Sequence, residues 1–278
     1  MKHSAEKWQC HSPKIMGILN ITEDSFSDGG RYLYAESAFK RALTMLSEGA
    51  DIIDIGGEST RPGSRGIAQE LEIERVVPIV QALKKAYPDA IISVDTRKSE
   101  VARLAIAAGA DIINDISALR HDHHMAEVLA GAKDTKLILM HMQGEPATMQ
   151  QEPHYEDVVK EITDFFEERI SFCKARGISR ERLMLDPGIG FGKNLEHNLS
   201  ILSALDHFQI FNLPIVIGVS RKRFIDMIQA STPDERIGGS LAAAMIAFQK
   251  GADIIRVHDV KAHKQFFAVH AMIGATGI

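Results

Sequence analysis

Eight short apolar runs with helix-like stretches between them constrain this chain more than any other feature. They are IMGILN (Ile15 to Asn20), DIIDIGG (Asp51 to Gly57), AIISVDT (Ala90 to Thr96), DIINDI (Asp111 to Ile116), KLILMHM (Lys136 to Met142), RLMLDPG (Arg182 to Gly188), PIVIGVS (Pro214 to Ser220) and DIIRVHD (Asp253 to Asp259). Their near-continuous Ile, Val and Leu content predicts strands covered on both faces, which means parallel strands under helices. Between them, EIERVVPIVQALKKAY and DVVKEITDFFEERISFCKARG carry helix periodicity, the second ending in a Gly suited to a left-handed stop. TPDE at Thr232 to Glu235 reads as a capping box with Pro at the first helical position. Eight such units with no GxGxxG after the first strand favour an α/β (β/α)8 TIM barrel over a doubly wound open sheet. No Pro/Ser-rich linker or charge block marks a boundary, so residues 1–278 are expected to form a single domain.

Three runs share a lead-in: GADIIDIGG from Gly49, GADIINDIS from Gly109 and GADIIRVHD from Gly251. A Gly that ends a helix, Ala-Asp to turn the chain and Ile-Ile to enter the wall make a helix-to-strand connector. The connector lies at the N-terminal end of its strand, where barrel features serve stability. The divergent endings lie at the C-terminal end, where barrel enzymes hold their sites.

The polar residues at those endings are Asn20, Asp54, Asp95, Asn114, His141, Asp186, Ser220, Arg256 and His258. Any one of them alone could merely cap a helix or bond a loop, but nine spread over all eight runs are expected to converge on one mouth. They include carboxylates, amides and cations but no zinc-type cluster and no legible Ser-His-Asp set. The expected chemistry is therefore binding and electrostatic stabilisation. SRKR (Ser220 to Arg223) places three cations in what reads as the first turn of a helix, where the dipole is already positive, and a bound anion or acceptor-rich ring would offset the repulsion. A solvated basic turn is the alternative. Two long loops, NITEDSFSDGGRY and GGESTRPGSRG, are of a length that is usually functional, and Arg61 would place a cation on the second. HDHH at His121 to His124 reads as a solvated helix start.

With 45% apolar and 25% charged residues and a net charge of -5, the chain offers no basic block for nucleic acid, so small-molecule ligands are favoured. Cys10 and Cys173 have no metal or disulfide spacing and read as reduced thiols, which fits a cytoplasmic setting. The first residues lack a signal-peptide apolar segment, and no run approaches the roughly 18 residues of a membrane span, so no membrane partner is expected.

The blocks MGILNITEDSFSDGG, IDIGGESTRPG, ISVDT, INDI, LMHMQG, LDPGIGFGKN, GVSRKRFI and IIRVHDV, running from Met16 to Val260, together resemble those of the dihydropteroate synthases. The resemblance implies a pterin-binding barrel, a homodimer, that joins dihydropterin diphosphate to 4-aminobenzoate in folate synthesis, with Mg2+, and that sulfonamides inhibit. It implies pterin contacts from Asp95, Asn114, Met140, Asp186, Lys222 and Arg256, and diphosphate contacts from Asn20, Thr60, Arg256 and His258, with Asn20 as metal ligand. It places 4-aminobenzoate among Phe26, Asp28, Thr60, Arg61, Phe191 and Arg223, and catalysis on Asp95, Arg61, Lys222 and Arg256. Glu23 stands where the family usually has Pro, and Arg223 where many members have Ser. A methyltetrahydrofolate-corrinoid methyltransferase and a catalytically silent pterin-binding paralogue are the alternatives. STRPG and SRKR argue against the first, while intact Asp95, Arg61 and Lys222 argue against the second.

Overall fold

The computed structural model describes residues 12–21, 31–59, 63–64 and 66–275. Strands and helices alternate: β1 (Lys14–Asn20), α1 (Arg31–Ser47), β2 (Ile52–Gly56), α2 (Gln69–Ala86), β3 (Ile91–Asp95), α3 (Ser99–Ala107), β4 (Ile112–Asp115), α4 (Met125–Gly131) and β5 (Lys136–Met140). There follow α5 (Val158–Ala175), β6 (Leu183–Asp186), α6 (Leu195–Ser203), β7 (Val216–Gly218), α7 (Arg223–Ile228), α8 (Ile237–Gln249), β8 (Ile254–Val257) and α9 (Val260–Ala275). The eight strands run parallel in the order β6-β5-β4-β3-β2-β1-β8-β7. The seam between β6 and β7 closes through the Leu185–Ile215 bridge and a 2.9 Å bond from Leu185 N to Pro214 O. The expected TIM barrel is formed.

The repeated connector works as its sequence implies. Gly49, Gly109 and Gly251 have φ of +95°, +106° and +90°, and the following Ala50, Ala110 and Ala252 each donate 2.9 Å bonds five residues back, to Met45, Ala105 and Ala247. That is the Schellman stop. The Asp of each phrase does more than turn the chain. Asp51, Asp111 and Asp253 each accept, on Oδ2 at 2.8 Å, a backbone N–H of the neighbouring unit: that of Ile15 on β1, of Ile92 on β3 and of Ile215 at the entry to β7. One sequence phrase thus pins three strand pairs in the same way.

Two apolar layers lie on either side of the wall. The larger packs strands against helices, with Phe166, Phe208 and Phe267 among its fully buried members. The smaller fills the barrel with one residue from each strand: Met16, Ile52, Ile112, Ile138, Met184, Val216 and Ile254, with Ile91 packed against them. This is a dry plug. Alternation along a strand brings the residue two further on to the same face, so Asp54, Ser93, Asn114, Met140, Asp186, Gly218 and Arg256 stand one layer nearer the mouth. Asn20, Gly56 and Asp95 lie in one register row above Asp54 and Ser93.

Candidate active site

A pocket opens over that polar layer. Asp95, Asn114, Met140, Asp186, Lys222 and Arg256 line it, and Ile116, Ile189, Phe191 and the Gly188 and Gly218 backbones complete the wall. Arg256 is the hub: Nε donates to Asp54 Oδ2 at 2.5 Å and Nη2 to Asp95 Oδ2 at 2.9 Å. Asn114 Nδ2 donates to the same Asp54 oxygen at 3.2 Å. Burial pushes the Asp95 carboxyl up to about 7, with Asp54 adding to the rise and Arg256 opposing it. Lys222 is brought down to about 8 by burial and by the Arg256 charge. Burial likewise raises Asp186, whose Oδ1 accepts Gly188 N at 2.8 Å.

The loop after β6 is a rigid cradle. A Cβ on Gly188 would stand 2.0 Å from His141 O and one on Gly192 2.3 Å from Gln143 O, so only glycine fits these close approaches. Polar side chains fix its carbonyls: Gln150 Nε2 bonds Gly190 O at 2.6 Å, Tyr155 OH bonds Gly192 O at 2.9 Å, and Lys193 Nζ bonds Phe191 O at 3.0 Å. Lys193 is buried, lies 3.0 Å from His141 Nδ1, and is lowered to about 7 by burial. A neutral amine there still donates.

Charge, flat apolar walls and a glycine cradle at the C-terminal mouth of a parallel barrel suit a flat polar ring carrying an anionic group. The family model described as pterin binding enzyme matches residues 16–258. The dihydropteroate synthase of Escherichia coli is 51% identical over 251 residues, 90% of this chain and 87% of that protein. The chain belongs to the dihydropteroate synthase family. The Yersinia pestis dihydropteroate synthase, solved as a sulfonamide drug complex, superposes with a TM-score of 0.88 at 44% identity, covering 95% of each chain. The Xanthomonas albilineans dihydropteroate synthase with 4-aminobenzoic acid gives 0.88 at 41% identity, covering 96% of this chain and 94% of the other. Like these dihydropteroate synthases, the chain is a transferase of folate biosynthesis.

Not all nine strand-end residues reach the mouth. Asp54 is fully buried beneath the pocket because β2 places it one register row below Gly56. His141 is buried behind the cradle, edge-on to the Phe165 ring at 4.8 Å, and burial with the nearby Lys193 holds it well below the usual histidine range. Ser220 Oγ accepts His258 N at 3.2 Å, and burial with the Arg256 charge holds His258 at about 3, so it is a neutral imidazole. The SRKR reading also changes. Only Arg223 lies in α7; Arg221, at φ +58°, is paired with Asp259 at 2.6 Å and Asp234 at 2.5 Å, so its charge does not load the helix start. Arg223 is exposed on the first turn.

Phe26, Asp28, Thr60, Arg61 and Glu23 lie outside the described residues. The stem of the second loop is anchored: Lys98 Nζ bridges Glu58 at 2.7 Å, Glu72 at 2.6 Å and Ile67 O at 2.8 Å. Asn20 ends β1 with its amide oxygen 3.6 Å from where a Gly56 Cβ would stand. Among the described residues no three His, Cys, Asp or Glu side chains are grouped to hold a metal by themselves. A single amide oxygen suits a hard cation that takes its other ligands from phosphate oxygens and water, as magnesium does.

Sequence reasoning missed Ile116, Ile189 and Lys193. The two isoleucines resemble any core residue. Lys193, inside the glycine-rich GFGKN, carried a readable signal, since a lysine in a tight loop needs a partner.

Proposed function

We propose that this chain condenses 7,8-dihydropterin-6-ylmethyl diphosphate with 4-aminobenzoate to give 7,8-dihydropteroate and diphosphate. The observation that carries the reading is the meeting of Asp95, Asn114, Asp186, Lys222 and Arg256 around one pocket walled by Met140 and Phe191. Asp186 accepts from the guanidine-like edge of the pterin, Lys222 meets the ring oxygen and N5, and Arg256 lies against the ring and faces the diphosphate. Asn20, Thr60 and His258 complete the diphosphate site. Phe26, Asp28, Thr60, Arg61, Phe191 and Arg223 receive 4-aminobenzoate. Asn20 Oδ1 would hold Mg2+ together with diphosphate oxygens, where the ion would neutralise charge on the leaving group.

The substitution is dissociative. The methylene C–O bond breaks with its electron pair leaving on the diphosphate, and Arg256 stabilises that charge. Asp95, ionised beside Arg256, stabilises the pterin methylene cation. The arylamine nitrogen then attacks and sheds its proton to solvent, so no protein nucleophile is required. The working form is a cytoplasmic homodimer of single barrel domains; Met227 and Ile228 on α7, Ile246 on α8, and Met272 and Ile273 on α9 are exposed apolar side chains available to a partner. No helix among the described residues is long and apolar enough to cross a membrane.

Mixing the protein with both substrates and Mg2+ and measuring diphosphate release with and without the amine tests the reading. Amine-dependent dihydropteroate formation is expected. Its absence would overturn the proposal.

A further inference from the structure

Asp54 is fully buried and touches no solvent, yet one of its oxygens serves two residues of the pocket wall. Oδ2 accepts Arg256 Nε at 2.5 Å and Asn114 Nδ2 at 3.2 Å. We propose that Asp54 is a positioning residue for the transfer, setting from beneath the pocket both the guanidinium plane of Arg256 and the amide sense of Asn114. The proposal rests on the function assigned above.

Two fixed points define a planar guanidinium. With Nε on Asp54 and Nη2 on Asp95 at 2.9 Å, the Arg256 plane is set, and Nη1 is left uncommitted among the described residues. The amide is fixed by a different rule. The Asp54 oxygen paired with the Arg256 guanidinium accepts, so Asn114 turns its NH2 to it, and among the described residues Asn114 Oδ1 has no hydrogen-bond partner. Asn114, a residue of the pocket wall, therefore keeps its Oδ1 as the acceptor still to be satisfied.

Stability does not account for Asp54. Among the described residues its Oδ1 has no hydrogen-bond partner, and neither does Oγ of Ser93, its register neighbour on β3. A buried carboxylate with an unsatisfied oxygen is costly, and a desolvated Arg–Asp pair is often no more stable than apolar side chains of the same volume. What the arrangement supplies is orientation. It also supplies charge: Asp95 is faced by Arg256 from β8, Asp54 from β2, Glu72 from α2, Asp115 from β4 and Lys222 from the loop after β7, and Asp54 is the foremost of the negative neighbours that raise its pKa.

The test is Asp54→Asn, which keeps shape and removes charge, compared with the parent in steady-state kinetics, pH profile and thermal unfolding. A drop of about 10- to 100-fold in kcat/KM for the pterin diphosphate is expected, the scale of a misplaced catalytic group. The KM for 4-aminobenzoate should stay within about threefold, a change of less than 1 kcal/mol. The acid limb should move to lower pH. Because Arg256 keeps only Asp95 as a charge partner, the unfolding midpoint is expected to fall as well, so the midpoint alone decides nothing and the split between the two substrates and the movement of the acid limb do. Unchanged kcat/KM would overturn the proposal. So would a lowered midpoint with both substrates affected alike and no movement of the acid limb, since that is a structural role. Should Asp54→Asn fail to fold, Arg256→Lys decides: it keeps the charge and loses the fork, and kcat/KM within about threefold of the parent would show that the plane is irrelevant. A parent without turnover overturns the functional reading and this proposal together, whereas an active parent with an unaffected Asp54→Asn overturns this proposal alone.

Discussion

Lys222 Nζ lies 4.2 Å from the centroid of the Phe191 ring. A cation over a ring face is attracted by about 0.5 to 2 kcal/mol, the upper end applying when water is excluded. The contact joins the loop after β7 to the loop after β6, so the proposed pterin and 4-aminobenzoate subsites would share a wall. Phe191→Leu removes the ring and keeps apolar volume. The expected result is a KM for 4-aminobenzoate raised more than about fivefold, together with a lower Lys222 pKa, because the cation loses its partner. Kinetics across the neutral range check both, and unchanged values for both substrates would contradict the shared wall.

The two titrations at the site set a narrow working range. Asp95 is raised to about 7, so it loses its negative charge as pH falls through that value. Lys222 is lowered to about 8, so it loses its positive charge as pH rises through that value. The proposed mechanism uses both charges, so kcat/KM for the pterin diphosphate is expected to be bell-shaped with its maximum between them, reporting the free protein. A profile flat through this window would refute the assignment of these two groups.

Asp186→Asn is expected to weaken pterin binding by about 2 to 4 kcal/mol, because a charge-assisted carboxylate becomes an amide with one mismatched donor. The fold should hold, since an amide oxygen can still accept Gly188 N, which now bonds Oδ1 at 2.8 Å. Calorimetry with a pterin ligand measures the loss, and full affinity would exclude the contact.

Gly188→Ala attacks the cradle. At φ +71° the new Cβ would be 2.0 Å from His141 O, a backbone atom at the end of β5 that cannot turn aside. Left-handed strain of about 1 to 2 kcal/mol and overpacking of about 1 to 3 kcal/mol combine to a destabilisation of roughly 2 to 5 kcal/mol. Chemical denaturation reads it directly; a variant as stable as the parent would mean that the cradle is soft.

A sulfonamide is expected to compete with 4-aminobenzoate and to raise the melting temperature only once diphosphate and Mg2+ are present, because the proposed order of binding puts the diphosphate site first. A ligand at about 100 times its Kd adds roughly 2.7 kcal/mol, which a thermal scan resolves. Equal shifts with and without diphosphate would sink the proposed order of binding.

The GADII phrase shows how far local signals reach. Its Gly positions were legible as helix stops because a left-handed residue is a local requirement. The bonds of Asp51, Asp111 and Asp253 to the neighbouring unit were not, because the acceptor's partner is 36, 19 and 38 residues away. The same division holds at the site. Asp95, Asn114, Asp186 and Arg256 could be picked out because each ends an apolar run, whereas Ile116 and Ile189 carry no local mark.

The sequence by itself determined the eight βα units, their parallel sense and the end of the barrel where polar residues gather, because apolar periodicity and helix stops are decided by each residue and its near neighbours. Only the tertiary structure decided which strand-end residues face the pocket. Asp54 and Asp95 look alike as carboxylates on neighbouring strands, but barrel register sets Asp54 opposite Ser93 and Asp95 one row higher, opposite Gly56. That single step puts one carboxylate beneath the pocket and the other in its wall, and it follows from hydrogen bonding between strands that no stretch of either strand contains.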